Sequence, residues 1–185
     1  MLWNGCQIFC FHGTRLILIL SKASPVLTKI LDISCGIPTL LLQLKRLGFT
    51  NLSGADDDHF QPRIVQAAKA FSEIFNLNAT FYDIRTGYPR KYRAIDKQFD
   101  VISQFGAATY TILTLIDPIL KPGGWFVSET VTTKPPKNFA EKYEIITRDF
   151  DIGRRLKEWN GAVVVHRKRD VTISTTSRNF WEYAS

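Results

Sequence analysis

Residues 30–58 read ILDISCGIPTLLLQLKRLGFTNLSGADDD, and the order of residue types in this stretch decides the fold. Ile30 to Ile33 is short, apolar and β-rich, which predicts a strand. Small residues follow at Ser34, Cys35 and Gly36, and Pro38 suits the first turn of a helix, where its missing N–H costs nothing. Leu40, Leu41, Leu44 and Leu47 recur at helical spacing, with Gly48 placed to close the helix in a left-handed conformation. Asn51 to Ala55 predicts a second strand running into three aspartates. One carboxylate, Asp32, thus precedes a small-residue turn, and others crowd the tip of the next strand.

Outward from this unit the alternation continues. Pro62 can open another helix, with Ile64, Ala67, Ala68, Phe71 and Ile74 as its apolar stripe. Ala79 to Ile84 predicts strand three and Phe99 to Phe105 strand four, followed by a helix over Ala107 to Leu120. LKPGG at 120–124 is turn chemistry, and WFVSETV after it predicts strand five. Short strands alternating with helices predict an α/β domain whose parallel sheet is wrapped on both faces. The alternation then stops at TTKPPKN, residues 132–138. Tyr143 to Phe150 and Ala162 to His166 predict two more strands with no long helix between them, an antiparallel hairpin at the sheet edge. The sum is a doubly wound, mostly parallel, seven-stranded sheet with an antiparallel C-terminal edge hairpin. No repeat or linker divides the chain, so residues 1–185 form one domain. Residues 29–131 are its core, flanked by the 1–28 segment and by edge strands and tail over 132–185.

Composition bounds the partners. Hydrophobic residues make up 45% and charged residues 22%, which is globular rather than disordered. A net charge of +7 admits nucleic acid, an acidic metabolite or an anionic surface, and solubility alone also accounts for it. Cys6, Cys10 and Cys35 form no CxxC pair, which argues against a disulfide framework or a metal site and fits a reducing, cytoplasmic setting. LILIL at 16–20 is too short to span a bilayer.

Taken in order, ILDISCGIP, GADDD, FYDI, FDVISQF and LKPGGWFVSE resemble the class I, Rossmann-like S-adenosylmethionine-dependent methyltransferases over roughly Ile30 to Glu129. In open α/β sheets, ligands settle at the carboxyl ends of strands where the strand order reverses, and an acidic residue about 20 positions past the turn holds a ribose diol. Asp56 stands 24 positions after Asp32. The resemblance implies S-adenosylmethionine as cofactor, with Asp32, Ser34, Cys35 and Gly36 around its methionine portion. It implies Asp56 or its neighbour Asp57 on the ribose, the G-A-D context favouring Asp56. Asp83 falls where the adenine amino group is held, with Ile84 beside the ring, and Gln104 and Phe105 line the reactive side. The glycine-rich turn of those enzymes usually reads G-x-G-x-G; here only the middle glycine, Gly36, is kept.

Catalysis by methyl transfer needs alignment more than a base, and Gln104, Tyr110 and Glu129 are the candidates for orienting an acceptor. Cys35 reads as a packing residue, because no base stands near it in sequence. His12, His59 and His166 are isolated. The 85–97 segment, RTGYPRKYRAIDK, interleaves cations with aromatics and can serve either nucleic acid or simply a solvated loop. A small-molecule acceptor is the leading reading, with a nucleic-acid acceptor as alternative. A catalytically silent scaffold, paired with itself or a partner subunit, is the third. A nicotinamide-dependent oxidoreductase is disfavoured by the missing G-x-G-x-x-G. Residues 1–28 can flank the domain or lid the cofactor, and the aromatic tail with Phe180, Trp181 and Tyr183 can dock on the core.

Overall fold

The computed structural model describes residue 20 and residues 23–59, 61–84, 95, 97–105, 116–130, 139–149 and 162–169. Its elements in chain order are β1 (Lys29–Ile33), α1 (Thr39–Arg46), β2 (Asn51–Asp56), α2 (Ile64–Ile74), β3 (Thr80–Asp83), β4 (Phe99–Gln104), β5 (Leu120–Thr130), α3 (Phe139–Lys142), β6 (Tyr143–Asp149) and β7 (Ala162–Lys168). The strands lie in the order β3-β2-β1-β4-β5-β7-β6. The first five are parallel, as the alternating pattern predicts, while β7 runs antiparallel to both β5 and β6. The order reverses between β1 and β4, since β1 hands the chain to β2 on one side and has β4 on the other. A ligand crevice is expected at that point.

Two apolar layers sandwich the sheet. Alternate residues of a strand face opposite sides, so Ile30, Leu52, Val101 and Val127 meet Leu40, Leu41 and Leu44 of α1 on one face. Leu31, Ile33, Ala55, Ile102 and Phe126 meet Ile116, Ile119 and Tyr143 on the other. The central strands are therefore apolar on both sides, which leaves few positions for polar residues.

Helix ends follow the sequence signals with small shifts. Pro38 is the residue before α1 rather than inside its first turn. Gly48, at φ +93°, closes α1: its N–H donates to Lys45 O at 2.9 Å and the Phe49 N–H to Leu44 O at 3.1 Å. Asn76 ends α2 the same way with φ +53°. The apolar stripe of α2 differs from expectation. Ile64, Val65, Ala68 and Ser72 are buried, whereas Ala67 is exposed and Ile74 is 77% exposed. Asp58 Oδ1 accepts the Val65 N–H at 2.9 Å, fixing the helix entry so that Val65 rather than Ala67 turns inward. Strand five also begins earlier than expected. Leu120 already pairs with Phe99, and residues 121–124 bulge before Trp125 resumes the ladder opposite Val101. Gly123, at φ +74°, makes that excursion. Tyr110, most of the 85–97 segment, residues 1–19 and the aromatic tail lie outside the described residues.

A polar knot ties the edge hairpin to the sheet. Asp117 accepts hydrogen bonds from Tyr143 Oη at 2.9 Å and Lys142 Nζ at 3.1 Å, and Lys168 Nζ stands 3.5 Å from its carboxylate while donating to Leu120 O. Burial alone would push the Asp117 carboxyl up, but the bonds from Lys142 and Tyr143 and the field of Lys168 bring it below its ordinary value. A depressed carboxyl contributes stability that is present above its unfolded titration and lost as pH falls through its folded one. Replacing Asp117 with alanine is expected to cost about 1–3 kcal/mol near neutral pH, because the buried Tyr143 hydroxyl loses its acceptor. The deficit should shrink in acid, which urea unfolding at several pH values would register.

Candidate functional site

At the carboxyl end of the parallel strands, the turn after β1 leaves the sheet through two left-handed residues, Ser34 at φ +58° and Gly36 at φ +51°. The Cys35 N–H donates to Ala55 O at 3.2 Å, anchoring the turn to β2. The tip of β2 completes the attachment. Asp56 Oδ2 accepts the Gly36 N–H at 2.7 Å, and its Oδ1 accepts the Asp57 N–H at 2.8 Å. Opposite the turn the space is open: a Cβ built on Gly36 would meet nothing within 4 Å. A closed turn with a free outer surface is what a bound group needs for close backbone approach.

Behind the turn the packing is tight. A Cβ on Gly54 would come within 2.7 Å of the Phe81 ring and 2.9 Å of Cys35 Sγ. Gly54→Ala is expected to destabilise the fold by about 1–3 kcal/mol and, by pushing Cys35, to weaken whatever the turn binds. Thermal unfolding together with ligand titration checks both effects. Cys35 is 7% exposed, and burial, with the fields of Asp32 and Asp56, pushes its thiol far above the range in which it is nucleophilic. Its side chain packs behind the turn against Gly54.

The carboxylates fall into distinct environments. Asp32, at 5% exposure, accepts a hydrogen bond from Ser103 Oγ at 2.7 Å. Burial pushes its carboxyl up to about 7; the Ser103 bond opposes this, and the Asp56 charge adds to it. Asp57 is buried, and its Oδ1 accepts the His59 N–H at 2.9 Å, folding the loop after β2. Asp56, by contrast, is half-buried beside the turn. Asp83 lies in register with Asp56 on β3 and is exposed, accepting the Asp58 N–H at 3.4 Å. Ile84, expected beside the ring, is 2% exposed and belongs to the same core cluster as Ile33, Ala55 and Ile95.

Gln104, in register with Ile33 at the end of β4, is buried, and Phe105 after it is partly buried. Glu129 is on β5, where its backbone pairs with Val163, one position beyond the Gln104–Ser128 register. Sequence reasoning missed two residues, Ser103 and Asp58. The signal for Ser103 was a hydroxyl inside the apolar strand FDVISQF, at the position level with Asp32. The cavity of about 240 Å³ at the amino ends of the strands lies away from this cluster, and its carboxylate, Asp100, is engaged by Lys29 N–H and Lys121. Among the described residues no cluster suits a metal ion, and no helix is long and apolar enough to cross a membrane.

This sheet order, with carboxylates flanking the turn at its switch point, is that of a Rossmann-like α/β fold, and solved structures of methyltransferases share it. The Haemophilus influenzae protein HI0767, provisionally named a methylase, matches with TM-score 0.65 and 13% identity over 86% of this chain and 99% of its own. Magnesium protoporphyrin IX methyltransferase of Synechocystis, solved with bound S-adenosylmethionine, matches with TM-score 0.61 and 10% identity over 86% and 78%. The glycopeptide N-methyltransferase MtfA, also solved with S-adenosylmethionine, matches with TM-score 0.57 and 12% identity over 86% and 94%. No family model and no curated protein sequence matches the chain. At such identities the likeness is one of fold, and the relatives differ in what they methylate.

Proposed function

We propose that this protein is a methyltransferase that uses S-adenosylmethionine. The observation that carries the reading is the Asp56 carboxylate closed onto the Gly36 N–H beneath an open turn, with Asp32 behind it and Asp83 on the neighbouring strand tip. These residues fit the cofactor piece by piece. Asp32 and the 34–36 turn suit an amino acid moiety. Asp56 has further lone pairs for ribose hydroxyls, and exposed Asp83 suits an exocyclic amine. The cofactor supplies a methyl group already activated on a sulfonium. The protein then has to align an acceptor in line with that methyl and exclude water, and such positioning can supply up to about 7–11 kcal/mol of the barrier. Gln104 and Phe105 border the reactive side in this reading, with Glu129 and Tyr110 as further candidates for orienting the acceptor.

The acceptor is read as a small molecule, with nucleic acid engaged through the 85–97 segment as the alternative. The antiparallel β6–β7 edge is read as part of the seven-stranded architecture typical of such enzymes, and the buried free thiol of Cys35 suits a cytoplasmic setting. A silent scaffold is the second reading, motivated by Pro38 in a turn that retains one glycine. Calorimetric titration with S-adenosylhomocysteine separates the two: micromolar binding supports the enzyme, and no binding by a folded protein supports the scaffold.

A further inference from the structure

Asp32 is buried at the carboxyl end of β1. Among the described residues no ion pair joins it to a cation. Its neighbours on each packed element are the Cys35 thiol in the turn, Gly54 in register on β2 with the Asp56 carboxylate beyond, and Ser103 in register on β4. Helix α1 brings Leu40, Leu41 and Leu44 to this face. A buried carboxylate without a cation is costly unless something completes it, and such groups concentrate at functional sites. Ser103 itself is 0% exposed, and its one hydroxyl proton is spent on Asp32 Oδ1, so the carboxylate keeps lone pairs for a further donor.

We propose that Ser103 is a positioning residue whose hydroxyl holds the Asp32 carboxylate ready for the ammonium group of an amino-acid-bearing cofactor, so that binding this cation drives a proton from Asp32 into solvent. The inference rests on the methyltransferase reading and adds a coupling to it. The bond from Ser103 favours the ionised carboxyl against burial and against the Asp56 charge. The ligand needs that ionised form. Affinity is therefore greatest above the titration of Asp32 and falls as pH drops through it.

The test is calorimetric titration of S-adenosylhomocysteine from about pH 5.5 to about pH 8 in two buffers of different ionisation enthalpy. Affinity should be nearly level toward about pH 8, decline below about pH 7 toward tenfold per pH unit, and release about half a proton per ligand near pH 7. Ser103→Ala, a minimal truncation, should move the decline upward. It should bind about five- to tenfold more weakly than the parent below about pH 7 and within about twofold at about pH 8. A purely structural role would weaken binding by one factor at every pH, and that result overturns the proposal. So does parental affinity that is flat with no proton release. Absence of binding at every pH, in a protein shown to be folded, sinks the cofactor reading itself and the coupling with it.

Discussion

Asp56→Ala is expected to weaken S-adenosylhomocysteine binding at least about a hundredfold while leaving the protein folded. The carboxylate makes two charge-assisted bonds to backbone, at 2.7 Å to the Gly36 N–H and 2.8 Å to the Asp57 N–H. Each such bond contributes about 1.5–3 kcal/mol, and about 1.4 kcal/mol corresponds to tenfold in affinity. Losing the ribose contacts alone would approach the hundredfold figure; a turn released from β2 adds to it. The fold should survive because Asp56 is only half-buried and the Cys35 N–H still bonds Ala55 O. Circular dichroism confirms folding, and calorimetry reads the affinity. Undiminished affinity in a folded variant would show that the ribose is held elsewhere, with Asp57 and Asp83 the next to replace.

The parts of this site that were legible in the sequence are those fixed by local rules. Ile30 to Ile33, the small-residue turn and the leucine spacing of α1 are short-range signals, and each element formed within a residue or two of its expected bounds. Asp56 and Asp57, adjacent in sequence, take different backbone partners: Asp56 accepts the Gly36 N–H and Asp57 the His59 N–H. What escaped the sequence depends on register. Ser103 meets Asp32 across 71 positions because β4 lies beside β1, an adjacency set by strand order rather than by either segment. The placement of Ile84 depends on a long-range bond too. Being one residue past β3, it could face a ligand or the core, and the Ile84 N–H bond to Asp56 O at 2.8 Å turns it inward. The inward face of α2 was likewise decided by a carboxylate six residues upstream of the helix, Asp58.

Asp32→Asn should stabilise the ligand-free protein in mildly alkaline solution and abolish its response to cofactor. In the folded chain the carboxyl titrates near about 7 instead of its ordinary 3.8. The folded state therefore binds this proton more tightly than the unfolded one. Stability from Asp32 is fully present below the unfolded value and drains away as pH rises through the folded one. At about 1.4 kcal/mol per pH unit the loss is on the order of 4 kcal/mol by about pH 8. Asparagine has no proton to lose, and its amide oxygen can still accept the Ser103 hydroxyl. The variant should thus match the parent near about pH 4 and exceed it by about 2–4 kcal/mol at about pH 8, the lower figure allowing for burial of a neutral amide. Saturating S-adenosylhomocysteine should raise the parent's melting temperature and leave the variant's unchanged, since a ligand stabilises only the state it binds. A variant no more stable than the parent at about pH 8 would mean that the ionised carboxylate is already compensated within the fold, and Asp32 would then be a structural residue. A stabilised variant that has lost its ligand response would mean that the chain keeps a costly charge in its core because the cofactor requires it.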